Sequence, residues 1–281
     1  MKRIVYVNGS FVREDLANIS IFDRGFLFAD SIYEVTGVID SKLVDNNKHL
    51  NRLRNSLKFM SIDLTITNNE IESIQKELIE KNHLDNGIVY LQISRGSEDR
   101  DFLYSENIEP TVVMFSQRKN FFKDPKALNG ISVITQEDNR WKFKDIKTTL
   151  LLGSVLAKNE ARLKGADDSW YTKDGFVTEG AASNAFILNK EKVIQTHPLS
   201  SDILPGTTRS TVFEIAKLLD LTIKEEPFTV REAIDSEEAF ITGAGTLVIP
   251  VIKINQHIIA SGEPGEITNA IREKYLRIAL T

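Results

Sequence analysis

The feature that most constrains the fold is the order of strand-like and helix-like segments along the chain. A single polar stretch interrupts this order. Short β-forming runs alternate with amphipathic helical patterns on both sides of residues 118–130, the polar stretch RKNFFKDPKALNG. A polar stretch with Pro and Gly and no clean periodicity is typical of an interdomain linker. A chain of 281 residues is also longer than one small domain usually needs. The sequence therefore predicts a mixed α/β (α+β) protein with domains at 1–117 and 131–281 and a linker at 118–130.

Local signals place several elements within these two halves. Asn8-Gly9 stands between β-forming residues and favours a type I′ turn, which predicts an N-terminal hairpin. The pattern Thr67-x-x-Glu70 is typical of a capping box and predicts the start of a helix. In the second half, an amphipathic pattern from Thr208 to Leu219 predicts another helix.

Composition excludes several classes of protein. Lys plus Arg number 35 and Asp plus Glu number 40, so the net charge of −5 argues against nucleic-acid binding. Cysteine is absent, which excludes disulfides and Cys-ligated metal centres. No apolar run approaches ~20 residues and the N-terminus lacks a signal-peptide pattern, so we expect a cytoplasmic protein without a membrane span.

Metal and hydrolase chemistry find little support in the sequence. The four histidines, His49, His83, His197 and His257, show no i,i+4 pairing and no neighbouring run of carboxylates. We therefore expect unconnected histidines at surface or half-buried positions, and no metal site. A Gly-x-Ser-x-Gly elbow is absent, which argues against a serine hydrolase of that type.

Two loops are candidates for binding a phosphate group. Residues 204–209, LPGTTR, lead directly into the amphipathic helix pattern, so free N–H groups and threonine hydroxyls would face an anion. The alternative is an ordinary helix start after a Pro-Gly turn. Residues 242–246, TGAGT, would let a backbone approach a ligand closely, although such a segment on its own is more often a tight loop between strands.

Two further segments are candidates for covalent and acid–base chemistry. Lys142, Lys144 and Lys147 lie within six positions, and a buried lysine can form a Schiff base with a carbonyl group. We expect two of the three to be solvated surface charges, but the spacing does not show which. Glu179 is followed by small residues and an apolar strand pattern. This arrangement suits either a carboxylate held beside a flat ligand or a surface turn before a strand.

Together, five segments resemble the signatures of class IV, or fold-type IV, pyridoxal-phosphate-dependent aminotransferases. In chain order they are DRGFLFADSIYE (23–34), HLNRL (49–53), DIKTTLLLG (145–153), EGAASNAF (179–186) and LPGTTR (204–209). Within the family, the lysine segment and the Glu-Gly-x-x-Ser-Asn pattern are most similar to those of the D-amino-acid transaminases. Branched-chain aminotransferases are a more distant match.

The resemblance implies a fold, a cofactor and a reaction. The expected fold has a smaller N-terminal α/β domain and a larger C-terminal domain with a barrel-like sheet, with pyridoxal 5′-phosphate at the domain interface. The expected reaction is a ping-pong transamination between a D-amino acid, of the D-alanine or D-glutamate type, and a 2-oxo acid such as 2-oxoglutarate. The family also implies a homodimer, in which the segment 95–104 is the candidate for the part contributed across the interface.

The resemblance also assigns roles to residues. Lys147 would be the Schiff-base lysine and proton shuttle, and Glu179 would pair with the protonated pyridine nitrogen. Leu204 would pack against the face of the ring. The residues that would hold the phosphate are Arg52, Thr207, Thr208 and the loop at Ala244.

Two departures from the family pattern concern the cofactor phosphate and the substrate. Ala244 stands where relatives often carry a hydroxyl residue, so one hydroxyl contact is lost. Tyr33 and Arg100 match two of the three groups that gather the substrate α-carboxylate, whereas Phe102 stands in place of a histidine. The alternatives therefore remain a branched-chain L-aminotransferase, an amine transaminase or an aminodeoxychorismate lyase of the same family. A protein that binds a phosphorylated ligand without turnover is disfavoured, because it would need neither Lys147 nor Glu179.

Overall fold

A computed structural model of the chain describes residues 2–280. The chain divides into two compact units. Unit 1 contains the described residues up to Asn120 together with Ile146–Leu150. Unit 2 contains Phe121–Asp145 and the described residues from Leu151 onward.

Unit 1 is built on one antiparallel sheet. Its strands are β1 Ile4–Val7, β2 Ser10–Arg13, β3 Ser31–Ile39, β4 Lys42–Leu43, β5 Gly87–Ser94 and β6 Thr111–Arg118. They lie in the order β2-β1-β6-β5-β3-β4. Asn8 and Gly9 both have positive φ, 44° and 88°, as an Asn-Gly hairpin turn requires, so the predicted N-terminal hairpin is confirmed.

Three helices belong to unit 1, namely α1 Arg24–Phe28, α2 Asn46–Met60 and α3 Asn68–Lys81. The Thr67 side chain accepts from the Glu70 N–H and the Glu70 carboxylate accepts from the Thr67 N–H, which confirms the predicted capping box. The buried faces of α2 and α3 join the sheet in one core that includes Leu50, Leu53 and Ile71. Each such side chain stabilises the fold by about 1.5–3 kcal/mol on burial.

The segment Ile146–Leu150 lies along one edge of β3. The Tyr33 N–H donates to the Lys147 carbonyl at 3.0 Å, and the Thr149 N–H donates to the Ser31 carbonyl at 3.1 Å. Ile32 and Thr148 form the β-bridge between these two bonds. Backbone pairing therefore fixes the position of Lys147 relative to β3.

Unit 2 is built on a larger mixed sheet, which curls. Its strands are β7 Ile131–Glu137, β8 Asp168–Lys173, β9 Phe176–Gly180, β10 Asn184–Leu188, β11 Val193–Thr196, β12 Thr222–Glu225, β13 Phe228–Thr229, β14 Glu238–Gly243, β15 Leu247–Ile254 and β16 His257–Ile258. The order is β12-β11-β10-β14-β15-β7-β8-β9-β13, and β16 pairs with β15. The pairs β11–β12, β15–β7 and β7–β8 are parallel, and the remaining pairs are antiparallel.

The helices of unit 2 are α4 Pro125–Asn129, α5 Leu152–Leu163, α6 Thr207–Leu218, α7 Val230–Ile234 and α8 Glu266–Leu280. The sheet interior is apolar, with Trp170, Ile187 and Phe228 fully buried in its core. In the described part of the chain, no helix combines the length and apolar character that a membrane crossing needs.

Two features differ from the expected domain plan. The segment 118–130, expected as a linker, holds the end of β6 and the helix α4, which begins with Pro125 after an Asp124 N-cap. The segment that carries Lys147 groups with unit 1, whereas the sequence placed it in the C-terminal domain.

Candidate functional site

Lys147 is a primary amine that unit 1 holds beside an aromatic ring. Its backbone N–H donates to the Ser56 hydroxyl at 3.3 Å, and its ammonium lies 4.2 Å from the centroid of the Tyr33 ring. Within the described residues of unit 1, no carboxylate forms an ion pair with this ammonium. The lysine is thus anchored through its backbone while its amine stays available for chemistry.

The other two candidate lysines differ from each other. Lys142 is exposed, as expected for a solvated charge. For Lys144 the expectation is wrong, since its side chain is only 7% exposed and pairs with Asp138 at 3.4 Å and Asp202 at 3.2 Å. An ammonium held between two carboxylates is a poor nucleophile, so Lys147 is the best candidate for covalent chemistry.

A buried carboxylate stands next to Tyr33 on β3. Glu34 accepts hydrogen bonds from Nε and Nη2 of Arg52, each at 2.8 Å, and its Oε2 lies 2.7 Å from Nδ1 of His49. Burial alone would raise the pKa of Glu34, but the charge of Arg52 and the hydrogen bonds from Arg52 and His49 hold it well below its usual range. The orientation of Arg52, the expected phosphate ligand, is therefore fixed by Glu34.

His49 corrects the expectation that the histidines are unconnected and lie at surface or half-buried positions. It is 2% exposed, and burial lowers the pKa of its ring. The sequence signal was present, because His49 and Arg52 are three residues apart on the buried face of α2 and Glu34 is the one charged residue within the largely buried strand β3. A charged residue inside such a strand needs a partner of opposite charge.

Glu179 is the buried carboxylate of unit 2. It lies near the end of β9 at 3% exposure, so the interpretation as a surface turn is wrong. It accepts from Nη1 of Arg140 at 2.8 Å, from the Leu204 N–H at 2.9 Å and from the Asn184 amide at 3.2 Å. Burial raises the pKa of Glu179 to about 7, against the opposing charge of Arg140. Arg140 was not among the residues predicted from the sequence. The only sequence feature that points to it is its position two residues after Asp138, an acidic residue that could pair with it.

The start of α6 is the candidate anion site. Thr207 and Thr208 begin the helix at 5% and 2% exposure, and among the described residues the Thr208 hydroxyl has no hydrogen-bond partner. Gly206 precedes them, and a Cβ there would clash with Oδ1 of Asn184. A helix N-terminus with a buried, unsatisfied hydroxyl fits a phosphate group.

Neighbouring loops add to this site. Asn184 pairs in register with Thr242 at the end of β14, and the Thr242 hydroxyl is likewise buried without a partner among residues 2–280. Ala244 lies half-buried in the turn that follows. Arg272 steadies that turn by donating to the Thr246 carbonyl at 2.9 Å.

Leu204 links the buried carboxylate to the start of α6. Its N–H donates to Glu179, and its carbonyl accepts from the Asn184 amide at 2.9 Å. The half-buried Leu204 is therefore held beside the carboxylate. This position suits an apolar side chain that contacts a ring paired with Glu179.

Of the two expected substrate ligands, Tyr33 lies beside Lys147 and Arg100 lies in an exposed loop. The Arg100 guanidinium sits 5.3 Å from the Phe28 ring and 5.6 Å from the Phe102 ring. Among the described residues it makes no hydrogen bond to Tyr33. Arg24 holds this loop by donating to the Asp101 carbonyl at 2.8 Å.

Comparison with known proteins identifies the family of the chain. The sequence model of one family, Amino-transferase class IV, matches residues 31–254. A D-alanine aminotransferase of Staphylococcus epidermidis is 35% identical over 278 residues, which cover 97% of this chain and 98% of the relative.

Solved structures of branched-chain amino acid aminotransferases share the fold. The Escherichia coli protein superposes with a TM-score of 0.93 at 22% identity, covering 99% of this chain and 95% of the other. The T.th. protein with pyridoxamine 5′-phosphate gives a TM-score of 0.91 at 24% identity, covering 99% and 94%. The family match spans most of the chain, and the chain therefore belongs to the class IV aminotransferases.

Proposed function

We propose that this aminotransferase moves the amino group of a D-amino acid, of the D-alanine or D-glutamate type, to a 2-oxo acid such as 2-oxoglutarate. The observation that carries the proposal is the 35% identity to a D-alanine aminotransferase along nearly the full length of both chains. The likeness to these two branched-chain enzymes lies below 25% identity and concerns the fold alone.

Class IV aminotransferases use pyridoxal 5′-phosphate, and the residues present fit that cofactor. The unsatisfied Thr208 hydroxyl and the first turn of α6 suit its phosphate, with Thr207 and the loop at Ala244 as further ligands in unit 2. When bound, the cofactor draws away the electron pair left at the substrate Cα once the proton departs. Glu179 would support this by accepting the ring N–H, and Leu204 would cover the ring face.

Lys147 is the residue we assign to covalent attachment of the cofactor. Its amine has no carboxylate partner among the described residues of unit 1, so it can form a covalent bond there without breaking an ion pair. Once displaced by the incoming amino group, it would carry the proton that leaves the substrate Cα. The nearby Tyr33 would position the substrate carboxylate.

A panel of half-reactions tests the substrate class. We expect D-alanine and D-glutamate to bleach the yellow band of the purified holoenzyme much faster than their L-enantiomers, L-leucine or a simple amine. Bleaching by L-leucine or by the amine alone would reject the proposal in favour of a sibling activity. The Lys147→Ala variant should lose turnover with every donor, whereas Lys142→Ala, at an exposed lysine of the same segment, should keep it.

One feature favours a second candidate within the family. Phe102 occupies the position where a histidine would complete the carboxylate site, and its ring is 79% exposed. A site with one polar group fewer suits a branched-chain L-amino acid or a simple amine. The panel of D- and L-donors separates these candidates, and replacing Arg100 tests its own role, because KM should rise for amino acids and stay constant for amines only if Arg100 binds the carboxylate.

We also propose that the chain forms a homodimer through the segment 95–104. Phe102 and Leu103 are 79% and 81% exposed, and Phe26 on α1 is 71% exposed. Apolar side chains grouped on a surface in this way are typical of a protein interface. Sedimentation of the wild type should give a dimer, and Leu103→Asp should shift it toward the monomer.

A further inference from the structure

Six side chains of alternating charge form a continuous series in unit 2. In order they are Glu179, Arg140, Asp138, Lys144, Asp202 and Lys173. The contacts along the series measure 2.8, 2.8, 3.4, 3.2 and 2.8 Å. The series begins at a carboxylate with a 4% exposed side chain and ends at a lysine with a 46% exposed one. A single buried charge is thereby connected to solvent through paired groups.

Arg140 is held in place by residues other than Glu179. Asp138 accepts from Nε at 3.0 Å, from Nη2 at 2.8 Å and from the backbone N–H of Arg140 at 3.1 Å. The guanidinium also lies 4.0 Å from the centroid of the Tyr171 ring. These contacts leave Nη1 directed at Oε1 of Glu179. The geometry of the pair is therefore set before any ligand is bound.

The charge state of Glu179 depends on a balance between neighbours. The titratable groups that face it are Arg140 and Asp138, from the segment after β7, and Tyr171 from β8. The remaining contacts are neutral donors, the Asn184 amide and the Leu204 N–H. Burial and Asp138 favour the protonated acid, whereas Arg140 favours the carboxylate.

We propose that Arg140 is a positioning residue that favours the ionised form of Glu179 and orients it, and that Asp138 both anchors Arg140 and weakens its effect by sharing its charge. This inference rests on the proposed function, in which Glu179 accepts the ring N–H. A protonated Glu179 could not accept that N–H in the same way. Glu179 and Asp138 thus share the Arg140 guanidinium, and this sharing sets the charge of Glu179.

The proposal predicts opposite effects for two substitutions. Removing the guanidinium with Arg140→Met should move the Glu179 titration toward higher pH by about one to three units. Neutralising the competitor with Asp138→Asn should move it toward lower pH, because asparagine removes the negative charge but keeps the oxygen that accepts from Nε and the backbone N–H of Arg140, losing only the acceptor for Nη2. Arg140→Lys should fall between wild type and Arg140→Met. General damage to the fold would not produce shifts of opposite sign.

Infrared spectroscopy of the full-length protein freed of cofactor measures this titration directly. The carboxyl C=O band of Glu179 is isolated as the difference between each protein and the same protein carrying Glu179→Gln, recorded across pH. The wild-type midpoint should lie at about 7. Arg231→Met, which removes a surface guanidinium of the same unit with a 78% exposed side chain, should leave it unchanged.

An unchanged midpoint in Arg140→Met overturns the inference, whatever the catalytic activity. If that variant does not fold, Asp138→Asn decides alone, and a midpoint that stays or rises overturns the inference. The proposed function is judged separately, by the holoenzyme. Wild-type turnover in Glu179→Gln would reject the role of Glu179 on the ring nitrogen while the infrared result for Arg140 stood.

Discussion

Replacing Glu34 with glutamine measures how much its buried ion pair with Arg52 contributes to the stability of unit 1. The two side chains are 2% and 9% exposed, and Arg52 donates to both carboxylate oxygens. Glutamine has nearly the same shape, so the substitution removes the charge and one acceptor without opening a cavity. Arg52 then loses the negative charge of Glu34 while it stays buried.

The cost follows from the loss of one partner of a buried pair. Such a loss typically costs about 3–5 kcal/mol, because the remaining charge is desolvated and uncompensated. Glutamine keeps one oxygen that can accept from Arg52, so we expect the lower end, about 3 kcal/mol. The measurement is urea unfolding of the cofactor-free protein, followed by far-ultraviolet circular dichroism.

The pH dependence of the unfolding free energy gives a second, independent check on the contribution of Glu34. Glu34 has a pKa below its ordinary value of 4.5, so its contribution is complete above pH 4.5 and is lost as the pH falls toward the pKa of the folded protein. Glutamine does not titrate. The stability difference between wild type and Glu34→Gln should therefore be largest near neutral pH and shrink as the pH falls below about 4.

Glu72→Gln is the matched control in the same unit. Glu72 pairs with Lys76 on the exposed surface of α3, with side chains 32% and 66% exposed. Exposed pairs of this kind contribute about 0.5 kcal/mol or less. If the two glutamine variants lost equal stability at pH 7, the argument from burial would be refuted.

Three further predictions concern α6 and α3. Thr208→Val should weaken pyridoxal 5′-phosphate binding about 10- to 100-fold, because a hydrogen bond to a charged group is lost, while the urea midpoint stays constant. Equal affinity of the variant and the wild type in equilibrium dialysis would show that Thr208 does not bind the phosphate. Gly206→Ala would bring a Cβ into collision with Oδ1 of Asn184. It should lower cofactor affinity and reduce the free energy of unfolding by about 1–3 kcal/mol, and wild-type values of both would contradict the expected clash. Thr67→Ala should cost about 1 kcal/mol in urea unfolding through loss of the Glu70 capping box, with kcat unchanged, and a measurable fall in kcat would contradict a purely local role.

Elements with strong local signals could be predicted from the sequence. The Asn8-Gly9 hairpin, the Thr67 capping box and the helix after Gly206 depend on backbone preferences within a few residues. The helix α4 also had such a signal, because Asp124 and Pro125 are favourable N-cap and N1 residues. Its short length and polar sequence made the linker interpretation more plausible than a helix.

The environment of charged residues could not be predicted in the same way. Lys144 is buried because Asp202, 58 positions later, pairs with it, and Glu179 meets Arg140 across 39 positions. Residue spacing carries no information about such contacts until the sheet order is known. The motif resemblance selected Lys147 and Glu179, but it said nothing of the partners that hold Glu34 and Glu179.

The short segment Ile146–Leu150 has a practical consequence for dividing the protein. It occupies the edge of β3 beside Ser31 and Tyr33, yet it is reached only by way of residues 121–145 of unit 2. A fragment ending at Asn120 would leave that edge with unpaired backbone groups, which favour pairing with another chain and aggregation. Unit 1 made on its own should therefore be less soluble than a version in which Ile146–Leu150 is joined back through a flexible tether.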